Sequence, residues 1–275
     1  MARAYDNDGE QASAPDASAA AGVAVFERDG AGRRVFRFLD HGLGEPAADV
    51  ALDEALVREA EGGDLSPLPR FWEPTRLAVV LGASGRLREE VHVENCRADG
   101  VPIVRRSSGG GTVLIGPGVL NVTVILPQAI APEMRTVEGA QAYVLQRLAN
   151  AFRVFDPAVE VRGSGDLTIG GRKFAGSAQR RLRHQVLVHT TILCAFPLDG
   201  IDRYLAEPRR RPAYRGSRRH GEFVTNLGIP VPLVKDAARA AWGAVAATDP
   251  VAIPGQRLQD LLASQFADLS WIERF

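Results

Sequence analysis

Gly163-Ser164-Gly165-Asp166-Leu167-Thr168-Ile169-Gly170-Gly171-Arg172-Lys173-Phe174-Ala175-Gly176-Ser177-Ala178-Gln179 is the stretch from which the fold reads. Its Gly170-Gly171 pair signals a two-residue hairpin turn, in which both central residues need positive φ. The turn divides two strand-like runs, 159–169 and 172–180. A third follows, in which Val186, Val188, Thr190, Ile192, Cys194 and Phe196 alternate. Runs adjacent in sequence usually pair, so the expectation is a largely antiparallel sheet with Lys173 just past a turn. That lysine is conspicuous, because only two of the 33 basic residues are Lys, at 173 and 235. An ammonium is a compact point charge with three rotatable donors. A narrow site needing one cation near two oxygens cannot exchange it for a planar guanidinium.

Outward from the hairpin, strands and helices alternate. Residues 35–39, 77–81, 103–106 and 121–126 read as strands, the last with Val122, Val124 and Leu126 on one face. Pro46 opens a helix carrying Ala48, Leu52, Ala55 and Leu56 and ending near Gly62-Gly63. Val137, Ala140, Val144, Leu145, Leu148 and Phe152 mark another helix. Cys96 falls in a further one. After Asn226 two short helices are expected, one with Leu233, Ala237, Ala241, Trp242 and Val245, the other with Leu258, Leu261, Leu262 and Phe266. The fold class is α+β (mixed α/β), a largely antiparallel sheet flanked by helices, divided into a flexible segment 1–34, a main domain 35–230 and a helical extension 231–275.

The bulk composition narrows the function. Equal numbers of acidic and basic residues, 33 of each, supply no global field for nucleic acid or an anionic membrane. No run reaches the length of a membrane span, and residues 19–26 are too short and weakly apolar for a secretory core. Cys96 and Cys194 are the only cysteines, too few for a disulfide framework or a paired zinc motif. These features suggest a cytoplasmic protein with neither nucleic acid nor membrane as partner.

Two further blocks carry chemistry. Arg105-Arg106-Ser107-Ser108-Gly109-Gly110-Gly111-Thr112 lacks the order of a P-loop and of a dinucleotide fingerprint. Its glycines permit close backbone approach, and its two guanidinium forks suit carboxylate or phosphate. His189-Thr190-Thr191-Ile192-Leu193 places a histidine in a strand, where a structural role is the commoner one.

Together the blocks resemble the biotin/lipoate A/B protein ligase family, in particular its lipoate-protein ligase A branch. The matching segments are Arg105–Gly111, Gly118–Asn121, Asp166-Leu167, Gly171–Gln179 and His189–Leu193, with Phe71–Pro74, Val79–Gly82 and Val224–Leu227 in support. The Gly-Arg-Gly-Arg signature of biotin ligases is missing. The resemblance implies a biotin/lipoate ligase catalytic-domain fold and a two-step reaction. Lipoate or octanoate is activated by ATP as an acyl-adenylate, then passed to a lysine of a lipoyl domain, such as those of 2-oxoacid dehydrogenases or the glycine cleavage H protein.

In that scheme Lys173 is catalytic. Arg106, Gly111, Thr112, Val113, Leu114, Asn121 and Asp166 bind ATP and the acyl-adenylate, with Mg²⁺ possible through Asp166. Arg105, Ser108, Gly109, Gly110, Gly176 and His189 line the lipoyl site. The chain departs from the family pattern at Ile115-Gly116, Gly165 and Thr190-Thr191, and its short extension leaves room for a separate accessory chain. Two alternatives stay open: an octanoyl-acyl carrier protein transferase working through a cysteine, and a silent binder of lipoate or lipoyl domains. The stretch Arg209–His220, with six arginines, is expected to dock the acceptor or steer the triphosphate.

Overall fold

The computed structural model describes residues 27–28, 34–63, 65, 68–208, 211–245 and 251–275. Pro46 pre-sets the first turn of α1 (Pro46–Gly62), and Gly63 at φ 90° closes the last, its N–H reaching the Ala60 and Glu59 carbonyls. The other helices are α2 (Leu87–Glu90), α3 (Val93–Ala98), α4 (Val137–Phe152), α5 (Ile201–Tyr204), α6 (His220–Phe223), α7 (Val231–Ala241), α8 (Gly255–Leu261) and α9 (Leu269–Ile272). Thr136 caps α4 by accepting from the Gly139 N–H.

The strands are β1 (Glu27–Arg28), β2 (Arg34–Arg37), β3 (Leu39–Asp40), β4 (Leu68–Trp72), β5 (Ala78–Leu81), β6 (Ile103–Arg105), β7 (Val113–Ile115), β8 (Val119–Pro127), β9 (Glu160–Arg162), β10 (Asp166–Ile169), β11 (Arg172–Arg181), β12 (Gln185–Leu193) and β13 (Ala244–Val245). Seven form the main sheet in the order β3-β4-β8-β12-β11-β10-β9, antiparallel throughout except for β3 beside β4. A second sheet has the order β6-β5-β7, and a third joins β1, β2 and β13.

Every residue of β8 is buried because both faces of the main sheet are covered. Val122, Val124, Val188, Ile192 and Phe174 turn to a core shared with Val144, Leu148 and Phe152 of α4 and with Val234 of α7. Ile125, Leu187 and Leu68 turn the other way, to a core shared with Leu52 and Leu56 of α1 and with the β5–β7 sheet. Full burial of a side chain such as Phe152 contributes about 1.5–3 kcal/mol.

Three expectations change. The run 159–169 is two strands, broken by a turn through Gly163 at φ 58°. Helix α7 buries Val231, Val234 and Ala238 and leaves Leu233 exposed, and Val245 pairs as a strand beside Arg37. Glu27–Arg28, within the segment expected to be flexible, pair with β2, while most of residues 1–33 lie outside the described residues.

Candidate active site

Side chains on the α1-facing side of the main sheet are read directly from its register. Leu68, Ile125 and Leu187 form an apolar row, and Val119 and Leu193 another. Between them run two polar rows. Arg70, Thr123, His189 and Ala178 face one another across four strands, and Trp72, Asn121, Thr191, Gly176 and Asp166 do so across five. Polar groups crossing an otherwise apolar, covered sheet face are costly to bury, and this is where the sequence-predicted residues converge.

The first row is closed from above by α1. Arg70, wholly inside, donates to Asp53 at 2.6 Å and to Asp49 at 2.5 Å, and Thr123 Oγ1 donates to the second Asp53 oxygen at 2.8 Å. Burial alone would raise the Asp53 carboxyl, but Arg70 and His189 outweigh it and hold it below its ordinary value. His189 Nδ1 lies 3.9 Å from Asp53, and its Nε2 is 2.7 Å from Ser108 Oγ in the glycine loop. Burial pushes the His189 pKa down, so the neutral ring bridges helix and loop. Glu54, also buried, accepts from Ser107 Oγ at 2.5 Å.

The glycine loop is held from within. Arg106 donates to the carbonyls of Val80, Gly109 and Gly111 and to Ser108 Oγ. Burial pushes its pKa down to about 10, which leaves it cationic at neutral pH. Arg105 is likewise inside, donating to the carbonyls of Gly82, Gly85 and Ile272. Both forks, expected to face a ligand, therefore point into the protein. Gly110 takes φ 87°, and a Cβ on Gly82 would stand 2.1 Å from the Gly110 oxygen, so only glycine lets the loop lie on the β5 turn. Thr112 Oγ1 donates to Glu90 at 2.6 Å, and Val113 and Leu114 enter β7 opposite Val80 and Val79.

Lys173 reaches the site through a β-bulge. Leu167 pairs with Ala175 but Thr168 with Lys173, leaving Phe174 as the extra residue. Strict alternation would set Lys173 on the face opposite Gly176. The bulge sends Phe174 and Ala175 together into the α4 core and re-aims the lysine. Its Nζ then lies 2.6 Å from Asp166 Oδ1, and Gly176 leaves room for it, since a Cβ there would be 2.6 Å from Nζ.

Tyr214 Oη donates to the other Asp166 oxygen at 2.7 Å. Burial, then Asp166, raises the Tyr214 pKa. Arg218 holds this tyrosine in place by bonding the carbonyls of Tyr214 and Gly171. Asn121 Oδ1 accepts from Thr191 Oγ1 at 2.9 Å, and its buried Nδ2 has no partner among the described residues.

Both Asp166 oxygens are thus committed, and the one grouping with metal-ligand spacing among the described residues is Asp202, Glu207 and His220, where Glu207 also pairs with Arg215. The site's own residues do not form a cage for Mg²⁺. Of the arginine-rich stretch, 209 and 210 lie outside the described residues, and Arg211 and Arg215 pair with Glu207. Asp49, Asp53, Glu54, Arg70 and Tyr214 are site residues that sequence reasoning missed.

The main sheet thus carries a half-buried lysine on one polar row and a glycine loop docked on the other. The lipoyl protein ligase A/B catalytic-domain model matches residues 45–236, and the chain belongs to that family. A protein of Aeropyrum pernix named lipoate-protein ligase A is 31% identical over 150 residues, 54% of each chain. Octanoyltransferase LipM of Staphylococcus epidermidis is 29% identical over 192 residues, 61% of this chain and 68% of that one. The chain therefore spans between about half and two-thirds of these relatives' length. Among solved structures, the bipartite lipoate protein ligase of Thermoplasma acidophilum superposes with a TM-score of 0.75 at 20% identity, covering 88% of this chain and 97% of that one. Lipoate-protein ligase A bound with ATP superposes at 0.73 and 21%, covering 87% and 98%. These likenesses establish the biotin/lipoate ligase fold. No helix among the described residues is long and apolar enough to cross a membrane.

Proposed function

We propose that the protein activates lipoate or octanoate with ATP and transfers the acyl group to a lysine of a lipoyl domain. The observation that carries this reading is Lys173, aimed by the bulge onto the polar rows and held by Asp166 with no thiol beside it. An acid oxygen attacks the α-phosphorus and pyrophosphate leaves. The acceptor amine, having lost its proton, then attacks the acyl carbon and AMP departs with the bridging oxygen. Negative charge grows on the phosphate in the first step and on the acyl oxygen in the second. One ammonium beside both oxygens stabilises each. Asp166 and Tyr214 keep it oriented, the unpartnered Asn121 amide offers a donor to the nucleotide, and Arg105 and Arg106 shape the loop beside the acyl group. Any Mg²⁺ arrives with the triphosphate.

The LipM relatives support a second reading, acyl transfer from a carrier protein. If that route runs through a cysteine it needs a thiolate. Cys194 is buried in the α4 core on the opposite sheet face, with burial pushing its pKa up to about 12, and Cys96 is buried on α3 with its pKa also raised. Neither adjoins Lys173.

Intact-mass analysis of an apo lipoyl domain separates the two. Mass gain with ATP and acid, lost in Lys173→Ala and kept in the Cys96→Ser/Cys194→Ser double variant, is expected. Gain only from octanoyl-acyl carrier protein, lost with the cysteines, would establish the transferase. A protein that binds acid or acceptor without any mass gain would be the silent binder.

A further inference from the structure

Arg105 is a buried cation with no carboxylate partner among the described residues. Its guanidinium is held by main-chain carbonyls alone, Gly82 at 2.9 Å and Gly85 at 2.7 Å on one side, and Ile272 at 2.6 and 3.1 Å on the other. Residue 272 is 167 positions away in sequence and lies at the end of α9. The attachment is reciprocal, because Trp271 Nε1 donates to the Arg105 carbonyl at 2.9 Å. The Leu87 N–H donates to the Phe275 carbonyl at 3.3 Å, and the Phe275 ring lies 5.6 Å from the guanidinium. The α9 segment thus covers β6, the outer strand of its three-stranded sheet, at the residue where the glycine loop begins.

From Arg105 the contacts continue into that loop. Gly82, whose oxygen Arg105 holds, is the residue on which Gly110 rests. The Ala83 N–H donates to the Ser108 carbonyl at 2.8 Å, and Ser108 Oγ meets His189. A buried guanidinium deprived of the Ile272 carbonyl would have unmatched donors and would draw the Gly82–Gly85 turn toward new acceptors.

We propose that residues 269–275 form a strap that sets the glycine loop through Arg105, with Trp271 as a positioning residue for the acyl-binding side of the site. The acyl assignment rests on the function proposed above, whereas the mechanical link does not. The strap acts on substrate binding and leaves Lys173, on the far strands of the main sheet, untouched. Loss of the strap therefore raises the KM for the acid and spares kcat.

Hydrogen exchange on the full chain, on Trp271→Phe and on a chain ending at Asp268 tests the link without substrate. Trp271→Phe keeps one aromatic ring and removes the Nε1 donor with the rest of the indole. Amides of residues 106–112 should exchange faster in both variants, more so in the shortened chain, while β11 and β12 keep their protection. Unchanged exchange at 106–112 in the shortened chain, or a uniform increase reaching β11 and β12, would overturn the proposal. In turnover assays, Trp271→Phe should raise the acid KM roughly two- to tenfold, the worth of one hydrogen bond, with kcat held. A fall in kcat at constant KM would contradict the positioning role. A wild-type chain that neither binds nor activates acid would refute the function and leave the exchange result standing.

Discussion

Arg70 and Lys173 each hold a carboxylate at 2.6 Å, yet the guanidinium is wholly inside the protein while 29% of the lysine side chain meets solvent. Arg70 has two carboxylates and two main-chain carbonyls as partners, so a ligand could add nothing to it. Lys173 has one carboxylate, and that carboxylate has one further donor, Tyr214. A substrate oxygen can join such a pair by shifting one bond. The comparison separates charge that shapes the site from charge that is available to chemistry. On the proposed function, Arg70, Arg105 and Arg106 serve the scaffold while Lys173 stays available to the reaction.

The contrast breaks most severely at Arg70. Arg70→Met fills similar space but strands Asp49 and Asp53 under α1, and removing one partner of a buried ionic group costs about 3–5 kcal/mol. At about 2–4 °C per kcal/mol, a thermal melt should show a fall of roughly 6–20 °C. A variant melting within a degree or two of wild type would mean that the cluster is not structural. Lys173→Ala should do the reverse, leaving the melt close to wild type and lowering adenylate formation ~10²–10³-fold, roughly 2.7–4 kcal/mol. Lys173→Arg should recover little of that rate, because the broad fork cannot follow the path left clear by Gly176. Full activity in Lys173→Arg would remove the case for a compact cation.

The two clusters also differ in how visibly the sequence displays them. Lys173 and Asp166 are legible because Gly170-Gly171 fixes their hairpin locally. The bulge at Phe174 is not legible, since period-2 alternation through 172–180 places the lysine on the wrong face, and nothing short of the register shows otherwise. Asp49 and Asp53 lie beside the Leu52, Ala55 and Leu56 face of α1, and the apolar pattern of that helix does not mark them as buried. Their burial depends on Arg70, which itself sits between Leu68 and Trp72 in a strand whose apolar run Pro69 and Arg70 interrupt. A lone cation in an apolar run and three carboxylates within Asp49–Glu54 were the available signal. Tyr214 was hidden inside an arginine-rich stretch read for its charge, though Arg215 and Arg218 turn inward there.

Tyr214→Phe sharpens the comparison on the exposed side. It deletes one donor to Asp166 and keeps the ring against Phe223, 5.3 Å away. A hydrogen bond to a charged group contributes about 1.5–3 kcal/mol, but Lys173 still holds the carboxylate. The expected loss of rate is therefore smaller than for Lys173→Ala, with no change in the acid KM. Equal losses in the two variants would show that Asp166 orientation, rather than the ammonium charge, limits the reaction.

The smallest effect is a pH dependence confined to the buried side. The His189 pKa is lowered in the folded protein, so below the ordinary value of about 6.5 the unfolded chain binds a proton that the folded chain resists. Stability from this group is present above about pH 6.5 and is lost as pH falls from there toward the folded value. Asp53, also lowered, adds its own loss only below its ordinary value of 3.8, while Asp49, raised by burial, works in the opposite sense above 3.8. Asp53 is therefore silent between pH 8 and pH 5.5, and because His189→Gln retains Asp49, the difference between variant and wild type isolates the histidine. Melts over this range should decline more for wild type than for His189→Gln, which keeps a polar side chain opposite Ser108 and cannot titrate. Parallel declines would mean that the ring takes up its proton as easily folded as unfolded, and that the contact between helix, histidine and glycine loop is more open to water than its 2.7 Å bond to Ser108 implies.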